Sequence, residues 1–136
     1  MAGTIAADTL THSTAGSIAT NYVVEGSCKA WLNFNGTGTV AVRDSLNLSS
    51  LADNTTGDYT VNFTNAFGSG DYTVSGTASG NADASRGYTG QMAADHSNAP
   101  TASALRTKFG LGSNASGHGQ LYDSVYSTVL NHGDLA

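Results

Sequence analysis

Cys28-Lys29-Ala30-Trp31-Leu32-Asn33-Phe34-Asn35-Gly36-Thr37-Gly38-Thr39-Val40-Ala41-Val42-Arg43-Asp44, continued by Leu46-Asn47-Leu48 and by Asp53-Asn54-Thr55-Thr56-Gly57-Asp58-Tyr59-Thr60-Val61-Asn62-Phe63, is the stretch whose reading decides the fold. Apolar residues recur there at every second position: Ala30, Leu32 and Phe34; Val40 and Val42; Leu46 and Leu48; Tyr59, Val61 and Phe63. Successive side chains of a strand point to opposite sides of its sheet, so a period of two marks strands with one buried face. Asn35-Gly36 is the pair best suited to positive φ at both centres of a tight hairpin turn. Asp53 to Gly57 is a second cluster of turn residues, delivering the chain into Asp58–Phe63. The stretch reads as an antiparallel β unit.

Outside this unit the periodicity weakens. Residues 1 to about 24 are small and polar, with Ile5, Leu10 and Ile18 as isolated apolar points, and read as an extended N-terminal arm that anchors the protein and contacts other subunits. Asn21-Tyr22-Val23-Val24 reads as a strand leading into the main unit. Gly57-Asp58-Tyr59-Thr60-Val61 returns as Gly70-Asp71-Tyr72-Thr73-Val74, a spacing that suits two successive meander strands. A solenoid would need longer periods and more copies. Glycine-rich loops are expected at about 77–90 and 110–119, with strands over Thr101–Phe109, after the only proline, and over Leu121–Leu130. The sum is one β domain over residues 25–136, all-β, an antiparallel sandwich or jelly-roll-like fold.

Composition bounds what such a domain can do. Val, Ile, Leu and Phe supply 24 of 136 residues, whereas Gly, Ser, Thr and Asn supply 61. With a net charge of only −5, self-repulsion does not account for the apolar deficit. A core this thin is expected to be completed by further copies of the chain. Lys29, Arg43, Arg86, Arg106 and Lys108 are scattered, and no basic stripe for nucleic acid is present. Cys28, the sole cysteine, reads as a small buried hydrophobe. No apolar run is long enough to insert in a membrane, and Met1–Asp8 lacks the pattern of a signal peptide. The expectation is a soluble protein made in a cytoplasm.

No chemistry-bearing motif rises above its bland reading. His12, His96, His118 and His132 lie far apart and carry no metal-ligand spacing, so no metal is expected. Gly36-Thr37-Gly38-Thr39-Val40-Ala41 formally fits a dinucleotide fingerprint, but a strand follows where a helix must present its N-terminus to the pyrophosphate. There is no Gly-x-Ser-x-Gly elbow. Asp44, Asp53, Asp58 and Asp71 read as turn formers rather than paired catalytic acids. Asn47, Asn54, Asn62 and Asn114 head Asn-x-Ser/Thr triplets that an Asn- and Thr-rich chain produces by chance. Trp31, Tyr59, Phe63 and Tyr72 read as core and inter-subunit contacts in preference to a sugar-stacking face. Trp31 lies out of phase with Leu32 and Phe34, which points to cover on both faces of that strand. Structural and interface candidates are therefore Trp31, Phe34, Asn35, Gly36, Tyr59, Phe63 and Tyr72, with no catalytic residue and no cofactor.

Three phrases carry a resemblance: Lys29–Gly36, Arg43–Leu51 and Asp53–Phe63. They resemble a β module of tailed-bacteriophage virion proteins, above all those of marine and cyanobacterial phages, whose carriers are tail fibre or virion structural proteins. The closing Gly133-Asp134-Leu135-Ala136 is similar to a C-terminus found among them. The likeness spans roughly residues 29–74 and the chain ends, about a third of the sequence. It implies a non-enzymatic structural role in the virion, as a homotrimer in contact with other virion proteins. The long shaft and distinct receptor-binding domain of a fibre are missing, which leaves a short fibre, a capsid decoration or an adaptor. The alternative it implies is a fibre module that binds a host-surface glycan or receptor through tyrosines of the glycine-rich loops.

Overall fold

A computed structural model describes residues 6–79, 90–111 and 120–136. The chain begins with β1 (Thr9–His12), β2 (Gly16–Ala19) and a short helix α1 (Thr20–Gly26). Next come β3 (Cys28–Asn35), β4 (Ala41–Leu46), β5 (Leu48–Thr55) and β6 (Asp58–Phe63). The second half supplies β7 (Thr73–Ala78), β8 (Gly90–Ala94), β9 (Ala104–Leu111), β10 (Gln120–Leu121) and β11 (Ser127–His132). The fold is an all-β antiparallel sandwich that nearly closes into a barrel. One sheet runs β4-β3-β11-β7 and the other β8-β9-β6-β5, with β10 extending β9. Among the described residues β7 and β8 pair at a single position, where Ala78 faces Gly90.

The other corner is made by one residue. Asn47 alone separates β4 from β5, and its φ of 59° lies in the left-handed region. Its side chain is clamped: Oδ1 accepts the Asn65 amide N–H at 2.7 Å, and Nδ2 donates to the Asn65 carbonyl at 3.0 Å. Its own carbonyl accepts the Thr64 N–H. The corner has a consequence that alternation alone misses. Leu46 and Leu48 were expected on one face, but the turn leaves Leu46 47% exposed while Leu48 packs on the core. Asn47→Ala should lower stability by about 1–2 kcal/mol, from left-handed strain plus the lost side-chain hydrogen bonds to Asn65. Asn47→Gly should recover the strain portion. Thermal unfolding of both variants checks this, and an unchanged midpoint for the alanine variant would mean that the corner is set elsewhere.

Between the sheets lie two aromatic clusters. Phe34, Tyr59 and Phe109 pack edge to face, with ring centres 4.9 to 5.9 Å apart. Phe63, Phe67 and Tyr72 form the second. Leu32, Val61, Leu105 and Val129 join them. The Thr64–Tyr72 connection closes this end of the sandwich, and Phe67 bridges to Leu135 beside it. The repeat around Tyr59 and Tyr72 is thus not a meander. β6 and β7 belong to different sheets, because the connection between them must cross the core to bury Phe67 and Tyr72.

Several local expectations change in the same way. The β3–β4 hairpin exists, but its loop is Gly36–Val40 and positive φ falls on Gly38, at neither Asn35 nor Gly36. β5 runs on to Thr55, leaving only Thr56-Gly57 as the turn, with Gly57 at φ 65°. Asn21–Val24 lies in α1, not in a strand. With no neighbouring strand to pair, those residues satisfy their backbone locally. The last strand divides into β10 and β11, with Tyr122–Tyr126 as the link, and β8 arises at the end of the first expected loop, in a stretch to which no strand was assigned. Most of the two glycine-rich loops, residues 80–89 and 112–119, lies outside the described residues.

Candidate functional site

The seven interface candidates separate into three places. Phe34, Tyr59, Phe63 and Tyr72 point between the sheets and are buried. Asn35 ends β3, where its Oδ1 accepts the Thr37 N–H at 3.2 Å and hydroxyl at 2.8 Å, an Asx-type turn. Gly36 sits against Tyr59: an added Cβ would overlap the phenol oxygen and come within 3.2 Å of the Ser124 carbonyl. Trp31 stands apart, half-buried on the outer face of β3.

Tyr59 anchors a polar seal over the end of the sandwich. Its hydroxyl donates to Asp123 Oδ1 at 2.7 Å, and the same carboxylate oxygen accepts the Gly57 N–H at 2.8 Å. The Gly36 N–H donates to the Ser124 carbonyl. Burial, reinforced by the Asp123 charge, pushes the Tyr59 hydroxyl above the ordinary phenol range. Burial also raises Tyr72, to about 12. Neither phenol ionises near neutral pH, so both serve as donors.

The outer face of β8-β9-β6-β5 carries an ion-pair network. Asp58 accepts two bonds from Arg106, at 2.8 and 2.9 Å, one from Lys108 at 2.7 Å and one from Asn54 at 3.0 Å. Asp95 lies 3.6 Å from Arg106 and 3.7 Å from Lys108. Asp58 is 1% exposed despite its outward direction, because the two cationic side chains and Asn54 cover it. The Arg106 guanidinium, then Lys108 and Asn54, hold its carboxyl well below the usual carboxylate range against the effect of burial. Reading Asp58 as a turn former missed this role. A signal was present: an aspartate opening a fully alternating strand, with Arg106 and Lys108 two apart on another.

The outer face of β4-β3-β11-β7 differs in kind. Trp31 pairs directly with Leu46 on one side and Leu130 on the other, giving an apolar row across three strands. Leu46 and Leu130 are 47% and 37% exposed. The next row is polar: Asp44, Asn33, Thr128 and Thr77 lie opposite one another in turn. A register shift after Asn33 frees Arg43 to reach over Tyr126, its guanidinium carbon 4.5 Å from the ring centre. This face is the candidate interaction surface.

The histidines among the described residues are dispersed. His12 Nδ1 accepts the N–H groups of Thr14 and Ala15 and closes the β1–β2 turn. His132 Nδ1 lies 3.2 Å from the Gly26 carbonyl, and His118 falls outside the described residues. Among the described residues, no three His, Cys, Asp or Glu side chains are grouped to hold a metal ion. Cys28 is half-buried, its sulfur 3.1 Å from the Ala30 carbonyl oxygen. An open cleft of about 350 Å³ is lined by Glu25, Asp71 and Asp134 beside Phe67 and Tyr72. Compared with protein-family models, curated proteins and solved structures, the chain gives no significant match in any of the three.

Proposed function

We propose that this chain is a structural component of a tailed-phage virion, a short fibre, decoration or adaptor protein that assembles as a homo-oligomer. Its work is binding through shape and surface complementarity, without bond-making chemistry. The observation that carries the reading is the uncovered Leu46–Trp31–Leu130 row, which a small, thinly cored domain is expected to bury against a neighbour. The phage-like phrases in β3 to β6 add the particle. Immunogold electron microscopy of intact particles, with antibody to the recombinant protein, tests it. Label on the head makes the protein a decoration, label on the tail a fibre or adaptor, and particles without label overturn the reading. Deleting residues 2–20 should abolish incorporation into particles while leaving a folded β domain. Normal incorporation of that truncation would remove the anchoring role of the arm.

A second reading, a module that binds host-surface glycan, is favoured by one observation: Tyr126 is 60% exposed beneath the Arg43 guanidinium. Exposed aromatic faces stack on sugar rings, and a guanidinium donates to hydroxyls. Tyr88, in the loop first considered for that role, lies outside the described residues. Tyr126→Ala should then reduce adsorption of particles to host cells, and undiminished adsorption would dismiss this reading.

A further inference from the structure

The N-terminal arm folds into something that cannot stand alone. Among the described residues β1 pairs only with β2, and nearly every residue of both strands is exposed. Leu10 faces Ile18, each 46% exposed. α1 is seven residues long and buries none of them, leaving Tyr22 66% and Val24 60% exposed. An isolated two-stranded hairpin is at best marginal in water, and so is a helix of this length. Some surface must cover this unit.

The same chain carries an uncovered surface of matching character. With its own arm in place, Leu46 and Leu130 stay exposed and Trp31 between them is only half-buried. The end of α1 is fixed beside that sheet. Lys29 Nζ donates to the Val24 carbonyl and, at 3.1 Å, to the Ser27 carbonyl, while His132 meets Gly26. Charge fits as well. Residues 6–27 contain Asp8 and Glu25 and no lysine or arginine, whereas β3 and β4 bring Lys29 and Arg43 against the single carboxylate of Asp44.

We propose that the hairpin of one copy's arm, residues 8–19, lies on the outer β4-β3-β11 face of a second copy, its Leu10 and Ile18 covering Leu46, Trp31 and Leu130. The proposal rests on the homo-oligomer part of the reading above and names the surfaces that join. Each copy gives one arm and receives one, a head-to-tail contact that makes a closed oligomer where the rotation between copies closes.

The test uses the full chain, light scattering after gel filtration over a range of concentrations, and two variants at exposed positions, Ile18→Asp in the arm and Leu130→Lys on the face. Wild type should be a closed oligomer with blue-shifted Trp31 emission. Each variant should weaken assembly at least about tenfold while keeping its far-ultraviolet circular dichroism. Mixing the two should give a heterodimer, because only the Leu130→Lys copy's intact arm can meet the Ile18→Asp copy's intact face. Unchanged assembly in both variants would overturn the arm-on-face contact and leave the homo-oligomer standing. Monomeric wild type at high concentration would remove both. A blue-shifted Trp31 in wild type that runs as a monomer would place the arm on its own sheet and overturn the exchange.

Discussion

Asp58→Ala should destabilise the isolated fold by about 3 kcal/mol, because it removes a buried charge and leaves two cations without their main partner. The figure sits at the low end for a broken buried pair, since Arg106 and Lys108 are each about a third exposed and water can take up part of the loss. Asp95, 3.6 Å from Arg106, offers a second partner that further limits the damage. Urea denaturation of wild type and variant measures the difference. A loss below about 1 kcal/mol would mean that the network is an ordinary surface cluster.

The same network fixes the acid response. Asp58 and Asp95 both titrate below the usual carboxylate range, Asp58 chiefly through Arg106 and Asp95 chiefly through the Asn98 amide. A carboxyl whose folded value is depressed binds fewer protons folded than unfolded, so its contribution is complete above the unfolded value of 3.8. That contribution is then lost as pH falls through the folded value. The unfolding midpoint should therefore hold steady from neutrality down to about pH 5 and fall below about pH 4. Asp58→Ala should flatten that fall, and a variant with the wild-type slope would assign the acid response to other carboxyls.

How much of this was legible follows from which forces act locally. The all-β class was readable because strand periodicity is a local property: Ala30, Leu32 and Phe34 alternate in sequence and all point into the core. Trp31 was readable as outward-facing by the same rule. Pairing between distant strands was not. Nothing near Tyr72 states that Phe67 must cross the core, so the repeated Gly-Asp-Tyr-Thr-Val phrase looked like a meander. Asn35-Gly36 carries a strong turn preference, yet the close approach of Tyr59 to Gly36, made across the sandwich, sets a longer loop. Asn47 and Asp58 were hidden for a related reason. Asn and Asp are turn residues by local statistics, and only the bonds to Asn65 and to Arg106 and Lys108 give them a specific task.

Phe34→Ala should cost about 4 kcal/mol, the scale for truncating a buried phenylalanine, against a total stability of about 5–15 kcal/mol for a domain. The ring is fully buried and stacks edge to face on both Tyr59 and Phe109, so its loss opens a cavity bounded by two other rings that the sheets hold in place. With so few large apolar side chains in the chain, little remains to collapse into the space. The denaturant midpoint should drop by about 2 M urea if the slope is near 2 kcal/mol/M. Trp31→Ala, three residues earlier on the same strand, should behave in the opposite way. Its side chain lies outside the core, so it should leave the isolated domain folded with a loss of about 1 kcal/mol or less while weakening assembly. The pair separates folding from association on one strand. If Phe34→Ala were mild and Trp31→Ala severe in the monomer, the faces of β3 would have to be exchanged, and with them the surface assigned to the neighbouring copy.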